Sequence, residues 1–203
     1  MNKKLIWVLS LCFLMCSNLL FAMTAEEAVA KFRSRMLGIG TMRGTVSWSH
    51  SSGSMYTGSF KYMAPGKIYV KFSSPSGKIV ACNGSKLWVF DPSSNICGVQ
   101  DVGRGGSGGI AGLVSGYTGI VSGGAGGYTI KLKNNDKHFS EITLVVDGSF
   151  LLKKAVLKTK DGGNMNISLS GVIIGEGIYP GVFDFKPPAS AQHVVNPQNI
   201  KYP

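Results

Sequence analysis

The strongest constraint on the fold is a succession of short segments in which apolar and polar residues alternate. In residues 67–72 (KIYVKF), isoleucine, valine and phenylalanine fall on one side, which is the pattern of a half-buried strand. Asn83-Gly84 stands between two such segments and is the strongest short-range signal for a β-hairpin turn. Asp147-Gly148 gives the same signal further along the chain. Strands joined by short turns, with no helices between them, predict an antiparallel meander.

One segment near the N-terminus (TAEEAVAKFRSRM) has a helical pattern instead. Thr24 can cap this helix, and Glu27 follows three residues later, as a capping box requires. Ala28, Phe32 and Met36 recur every four residues and give it one apolar stripe. About ten strands should follow, and a sheet of that width has to curl. We therefore predict a mainly β fold with α, in which a single antiparallel meander curls into an open, half β-barrel with an apolar hollow.

A glycine-rich stretch at residues 103–127 interrupts the meander, with twelve glycines and no acidic residue. Its composition predicts a flexible segment whose apolar side folds as a lid over the hollow, and a mobile surface loop is the other interpretation. The last strand is expected at residues 181–188 (GVFDFKPP). The predicted lid residues are Ile110, Leu113, Val114, Tyr117, Ile120 and Val121.

Residues 103–109 (GRGGSGG) fit two catalytic motifs, G-x-G-x-x-G and G-x-S-x-G. The dinucleotide motif needs a strand before it, a helix after it and an acidic residue about twenty positions on, and the sequence offers no such helix or acid. The hydrolase motif would use Ser107 as nucleophile, and Asp147 and His193 follow in the required order. Because that motif belongs to a parallel sheet, the hydrolase stays an alternative rather than the main hypothesis.

The first 22 residues read as a secretory leader. Lys3 and Lys4 precede a continuous apolar run, and Ala22 supplies a small residue before the expected cleavage. Cys12 and Cys16 lack the small preceding residue of a lipidation site, so lipidation is not expected. The predicted organisation is a leader at 1–22 and one exported domain at 23–203.

The charge balance is strongly basic. The chain carries 21 Lys and Arg against 10 Asp and Glu, and loss of Lys3 and Lys4 with the leader would leave a net charge of +9. Such a balance suits an anionic membrane surface or an acidic partner, and export argues against nucleic acid. Because the lysines are scattered along strands, a solvated sheet face is the plainer explanation.

Cysteine and histidine usage indicates no metal site. Cys82 and Cys97 are the two cysteines outside the leader, and an oxidising compartment would permit a disulfide. A strand is expected between them, which sets them about 10 Å apart, beyond the disulfide limit of about 7 Å, so pairing would need a local bulge. His50, His138 and His193 are far apart in sequence, and we expect neither a metal site nor a cofactor.

Several of these segments together resemble the LolA family of periplasmic outer-membrane lipoprotein carriers. The likeness extends over residues 24–195 and rests on three features. These are the amphipathic helix, residues 58–92 (GSFKYMAPGKIYVKFSSPSGKIVACNGSKLWVFDP) and the closing FDFKPP of residues 183–188. The resemblance implies an open β-barrel with a helical lid, and an apolar cavity that holds the acyl chains of a lipoprotein. It places the lid at residues 103–127.

The sequence departs from the family pattern at two positions. Ala64 stands where the family commonly has an arginine that helps latch the lid. Asn83 replaces the usual aspartate of the following turn, which is a benign exchange in a type I′ turn.

The resemblance implies a non-enzymatic carrier that acts in the periplasm as a monomer. Its partners would be the acyl chains of lipoproteins, an inner-membrane lipoprotein-releasing ABC transporter as donor and an outer-membrane acceptor. The alternatives are a lipid-sensing or scaffold protein of the same fold without transfer, and the hydrolase that uses Ser107. Alternation predicts twelve cavity residues, for each of which plain core packing is the other explanation: Trp48, Phe60, Tyr62, Ile68, Val70, Phe72, Leu87, Val89, Ile130, Leu132, Leu144 and Ile167.

Overall fold

The computed structural model of the protein describes residues 23–102 and 110–195. The predicted leader at 1–22 lies outside these ranges, so its cleavage stays a prediction. In chain order the elements are α1 Ala25–Gly38, β1 Thr41–His50, β2 Met55–Met63, β3 Lys67–Ser74, β4 Ser76–Cys82, β5 Lys86–Asp91, β6 Ile96–Asp101, α2 Ile110–Leu113, β7 Thr118–Gly124, β8 Gly127–Lys133, β9 Phe139–Asp147, β10 Leu152–Thr159, β11 Asn164–Ile174, a 3-10 helix Pro180–Phe183 and β12 Gln192–Val195.

All these strands belong to one open sheet, in the order β12-β6-β5-β4-β3-β2-β1-β11-β10-β9-β8-β7. Two meanders, β1–β6 and β7–β11, join where β1 pairs with β11 and Trp48 lies opposite Ile167. The expected open, mainly β fold with an N-terminal helix is confirmed. The sheet is nevertheless mixed, because β12 runs parallel to β6.

The helix α1 begins and packs as its sequence predicts. The Thr24 side chain accepts from the backbone of Glu27, whose own side chain accepts from the Thr24 backbone, so the capping box is present. Ala28, Phe32 and Met36 are fully buried against the sheet. The Tyr62 hydroxyl donates to the Met36 carbonyl at 3.2 Å and ties the end of α1 to β2. No helix within the described ranges is long and apolar enough to span a membrane.

The sheet has an inner face, which carries α1, and an outer face. The inner face of β8–β10, here called the sealed region, is completely covered. Its inward side chains include Ile130, Leu132, Ile142 and Leu144, each at most 1% exposed. They alternate with outward lysines and threonines, because successive side chains of a strand point to opposite faces.

The region β4–β6, here called the open region, is covered on the opposite face. Phe90, Cys97 and Ala191 form a second, smaller core on the outer face there, and Phe185 packs against it. The chain after β11 supplies this cover, and two of its side-chain hydrogen bonds tie it to the turns that follow β4 and β5. Asn83 Nδ2 donates to Asp184 Oδ1 at 2.9 Å, and Asn95 Nδ2 donates to the Ser190 carbonyl at 2.6 Å.

The chain after β11 does not contain the strand expected at residues 181–188. Residues Pro180–Phe183 form a 3-10 helix instead, and Phe183 is fully buried. The two prolines of the closing FKPP lack the backbone N–H that a strand would donate to its neighbour. The prediction of a last strand was therefore wrong at this position, and the chain pairs only later, as β12.

The glycine-rich stretch is less of an insertion than the sequence suggested. Its second half, Thr118–Gly124, is a strand that pairs with β8 along its whole length. A Cβ at Gly119 would collide with the Lys131 carbonyl, and one at Gly123 with the Gly127 carbonyl. These two glycines therefore allow close pairing of β7 with β8, a strand that the prediction of a flexible segment or surface loop at 103–127 did not include.

Candidate functional site

The candidate site is the inner face of the open region together with its neighbours on β1, β3 and β11. The helix α1 contacts β7 and β8 and reaches β2 at Tyr62, and the inner face beyond stays partly uncovered. Several apolar side chains there remain only half-buried. They include Trp48, Ile68, Val80, Leu87, Val89, Met165 and Ile167.

The register shows that these side chains share one face. Ile68 pairs with Cys82, which pairs with Leu87, and Val70 pairs with Val80, which pairs with Val89. Directly opposed residues of neighbouring strands point to the same side of a sheet. The inner face is thus apolar without a break from the covered core into the open region.

One end of this face carries a charged pair. Lys78 Nζ lies 3.0 Å from Asp91 Oδ2, and it also lies 5.2 Å from the centre of the Tyr56 ring. Desolvation would lower the pKa of Lys78, but the hydrogen bond to Asp91, the charge of Asp91 and the interactions with Tyr56 together outweigh it and raise the pKa. Desolvation would likewise raise the pKa of Asp91, but hydrogen bonds from Ser93 and Lys78 lower it. Both groups are therefore held in their charged forms.

We call the charged pair Lys78–Asp91 the rim. A pocket of about 230 Å³ lies just inside it. Its apolar lining includes Phe72, Val80, Val89 and Ile96, with Lys78 and Asp91 at its mouth. An apolar floor with charges confined to one end suits an amphipathic ligand that has an apolar chain and a polar head.

Three aromatic rings connect the rim to the core. Tyr56 and Phe72 meet edge to face at 5.4 Å between ring centres, and Phe72 and Trp48 do so at 6.0 Å. The Trp48 indole nitrogen Nε1 is shielded from solvent and has no hydrogen-bond partner within residues 23–102 and 110–195.

The twelve predicted cavity residues all have inward positions, but they differ in cover. Seven are buried in the main core, namely Phe60, Tyr62, Val70, Phe72, Ile130, Leu132 and Leu144. Trp48, Ile68 and Ile167 pack against that core with partial exposure. Leu87 and Val89 lie on the same face outside it. Their role in binding stays a prediction.

Sequence reasoning missed several lining residues. Val80 was missed because Ile79, Val80 and Ala81 form an apolar run in which alternation cannot tell the two faces apart. Lys78 and Asp91 were missed although they lie on the two arms of the hairpin predicted at Asn83-Gly84, because the register of that hairpin was not followed to its open end. Only the pairing of β4 with β5 brings them together.

The predicted lid residues are divided between the two sides of the sheet. Val114 is buried and Leu113, Tyr117 and Val121 pack against the main core, with the Tyr117 hydroxyl donating to the Phe139 carbonyl at 2.9 Å. Ile120 is 68% exposed on the outer face, because it alternates with Val121 along β7. Its assignment to the lid was therefore wrong. The Ile110 side chain lies outside the described residues.

Ala64 stands at the position where the family commonly has its latch arginine, and here it joins two backbone segments. The Ala64 backbone N–H donates to the Gly40 carbonyl at 3.0 Å, and its methyl group packs against the main core. The turn that leads into β3 is thereby joined to the segment between α1 and β1.

Two of the three alternative hydrolase residues, Asp147 and His193, are described, and they lie on strands at separate places in the sheet order. Ser107 lies outside the described residues. The Asp147 carboxylate accepts from Ser149 and Leu151 and pairs with Lys153, while His193 is on β12 at the far edge of the sheet order. Cys82 and Cys97 are both free, with Cys82 on the inner face and Cys97 buried on the outer face.

Comparisons with known proteins agree with this architecture. The sequence model of the family described as outer membrane lipoprotein carrier protein LolA matches residues 45–186. A comparison with curated proteins found no match. Among solved structures, an uncharacterized conserved protein from Thermus thermophilus has a TM-score of 0.56 at 13% identity, covering 85% of this chain and 99% of that chain.

Two further structures are similar at lower scores. A LolA superfamily protein from Nitrosomonas europaea has a TM-score of 0.44 at 12% identity, over 80% of this chain and 98% of that chain. A chain of the MucA/MucB complex from Pseudomonas aeruginosa has a TM-score of 0.48 at 14% identity, over 84% of this chain and 63% of that chain. The family match covers more than half of the sequence, and the chain therefore belongs to the LolA family of outer membrane lipoprotein carrier proteins.

Proposed function

We propose that the protein is a periplasmic carrier that binds the acyl chains of lipoproteins on its inner face and shuttles them from the inner to the outer membrane. The observation that supports this most strongly is the unbroken apolar inner face, which is buried over β8–β10 and half-exposed over β4–β6. Donor and acceptor would be an inner-membrane ABC transporter that releases lipoproteins and an outer-membrane receptor. The carrier itself would act as a monomer.

The energetics favour a protein with such a face. Each CH₂ group of an acyl chain gains about 0.8 kcal/mol on burial, so a lipoprotein with several chains cannot cross water unshielded. A carrier must also release its cargo. The half-exposed side chains of the hollow can bury acyl chains while the fully buried core stays packed. Binding and release of cargo therefore do not require the core to repack.

The test is a charge placed on the half-exposed inner face. In Val89→Glu the new carboxylate would face the acyl chains or would have to become neutral, at a cost of several kcal/mol. Binding of a triacylated lipopeptide, followed by native mass spectrometry, should fall at least tenfold. Ser59→Glu is the matched control, because Ser59 is exposed on the outer face.

Two outcomes of this experiment would count against the proposal. Binding that is unchanged in Val89→Glu would place the lipid elsewhere. Binding without release to outer-membrane vesicles that contain the acceptor would favour a lipid sensor or scaffold over a carrier.

A further inference from the structure

We infer that Trp48 donates a hydrogen bond from its indole N–H to an ester carbonyl of the bound lipid, so that the hollow selects ester-linked acyl chains and holds the polar head at the Lys78–Asp91 rim. This inference rests on the proposed function and names the lipid linkage that the site recognises.

The first argument is the unpaired donor. The indole Nε1–H can only donate, and a buried donor without a partner is destabilising relative to a paired one. Trp48 Nε1 is shielded from solvent, so water does not satisfy it, and the described residues supply no acceptor. A phenylalanine would fill an apolar core position without this penalty, so the N–H is consistent with an acceptor that arrives with the ligand.

The second argument is the surroundings of the ring. Trp48 is half-buried on the inner face, between Tyr56 on β2 and Ile167 on β11. Ile167 and its neighbour on that face, Met165, are also half-buried. An inserted chain would therefore have to shift only these half-buried side chains to reach the indole N–H, without displacing the fully buried core.

The third argument is the depth of Trp48 along the strand. It lies two residues before the end of β1, and Asp91 is the last residue of β5 at the same end of the sheet. The contacts run from Trp48 to Phe72, from Phe72 to Tyr56, and from Tyr56 to the Lys78 ammonium group. In an acylated glyceryl group the ester carbonyls also lie between the apolar tails and the polar head. With the carbonyl at Trp48, the tails extend toward Ile68 and Leu87, and the head reaches the rim.

The linkage is tested with two lipopeptides of equal chain length. One carries a dipalmitoyl glyceryl group, and the other carries its dihexadecyl ether analogue, which lacks both carbonyls. We expect the wild-type protein to bind the ester roughly five- to tenfold more tightly than the ether, which is the value of one net hydrogen bond. In Trp48→Phe this ratio should fall to about one, while the affinity for the ether stays within about twofold.

Trp88→Phe is the matched control, because Trp88 lies on the outer face and packs against the second core. It should keep the ester preference of the wild type. Circular dichroism and thermal unfolding of both variants would identify any loss of fold.

A second measurement keeps the inference testable if Trp48→Phe is unstable. In Trp88→Phe, Trp48 is the only tryptophan between residues 23 and 203. Its fluorescence should be quenched more strongly by acyl chains brominated beside the carbonyl than by chains brominated at the methyl end.

The outcomes separate the inference from the function beneath it. An ester preference that survives in Trp48→Phe, equal wild-type affinity for ester and ether, or stronger quenching by the methyl end would each overturn the inference while lipid binding stands. Failure of the wild type to bind either lipopeptide would overturn the proposed function and the inference with it.

Discussion

The sealed region and the open region bury opposite faces of the same sheet. Over β8–β10 the inner face is buried in the main core, to which α1 contributes, and the outer face carries exposed residues such as Lys131 and Lys154. Over β4–β6 the outer face is covered by the chain after β11, and the inner face is half-exposed. Each region thus buries one of its two faces in a packed apolar core. The strands that line the hollow are therefore held in the sheet by the core on their outer face.

This difference explains how a small protein can maintain an apolar hollow. A strand whose two faces were both exposed would have little burial to hold it in the sheet. In the open region Ala81 and Cys97 are fully buried on the outer face, so these strands keep their place while Val80 and Val89 stay accessible. The outer core stabilises the fold there, and the inner face is left for binding.

The largest expected effect comes from making the same type of substitution, leucine to alanine, once in each region. Leu144→Ala removes a buried side chain from the sealed region and should lower the free energy of unfolding by about 2–5 kcal/mol. Leu87→Ala removes a half-buried side chain from the open region and should cost about 1 kcal/mol or less. Urea unfolding of both variants measures the difference. Equal losses would mean that the inner face of the open region is core rather than hollow.

A second pair of variants tests the outer edge of the sealed region. Gly119→Ala places a methyl group against the Lys131 backbone and should cost about 1–3 kcal/mol, or detach β7. Gly124→Ala is the control, because no atom lies within 4 Å of its new methyl group. Hydrogen exchange of residues 118–124 should quicken in the first variant only. Slow exchange in both variants would show that close pairing of β7 does not depend on Gly119.

The sequence was sufficient for the elements whose two faces differ in polarity. Alternation located β3 and β8 and their inward residues, and the capping box located the start of α1. It was insufficient where both faces are apolar, as in β4 and β5, because the second face is buried by a segment about 100 residues later. Periodicity within one strand carries no information about that distant cover.

The glycine-rich stretch was misjudged for a related reason. Glycine composition predicts flexibility when the chain is considered alone, and Gly119 in fact permits close approach to a neighbouring backbone. The rim could have been predicted, since the hairpin at Asn83-Gly84 sets Lys78 opposite Asp91.

The two free cysteines report on the two faces of the open region. Cys82 is half-buried on the inner face, whereas Cys97 is fully buried beneath the chain after β11, and burial raises the pKa of its thiol. A maleimide should therefore label Cys82 at least about tenfold faster than Cys97, because Cys97 reacts only after local opening. Bound lipopeptide should slow labelling of Cys82 alone. Faster labelling of Cys97 would show that the outer cover is loosely held.

The smallest expected effect concerns an aspartate at the end of a strand in each region, which accepts from a serine two residues later and pairs with a lysine. Asp147, at the end of β9, accepts from Ser149 and pairs with Lys153 at 3.2 Å, while Asp91, at the end of β5, accepts from Ser93 and pairs with Lys78 at 3.0 Å. Asp147 also accepts from the Leu151 backbone at 3.0 Å. Desolvation would raise the pKa of Asp147, but these hydrogen bonds outweigh it and lower the pKa to about 2.

The lowered pKa of Asp147 sets the pH dependence of its contribution to stability. A carboxyl group whose pKa is lower in the folded than in the unfolded state stabilises the protein fully above about pH 4, and this stabilisation is lost as the pH falls to about 2. Asp147→Asn should therefore destabilise the protein by less than about 1 kcal/mol at pH 7, since the pair is partly exposed. The difference in stability from wild type should close by pH 2.

Asp91→Asn should follow the same direction with a smaller difference in stability, because Asp91 lacks the counterpart of the Leu151 bond. Thermal unfolding between pH 2 and pH 7 tests this, and a gap for Asp147→Asn that widens toward acid pH would contradict the assignment.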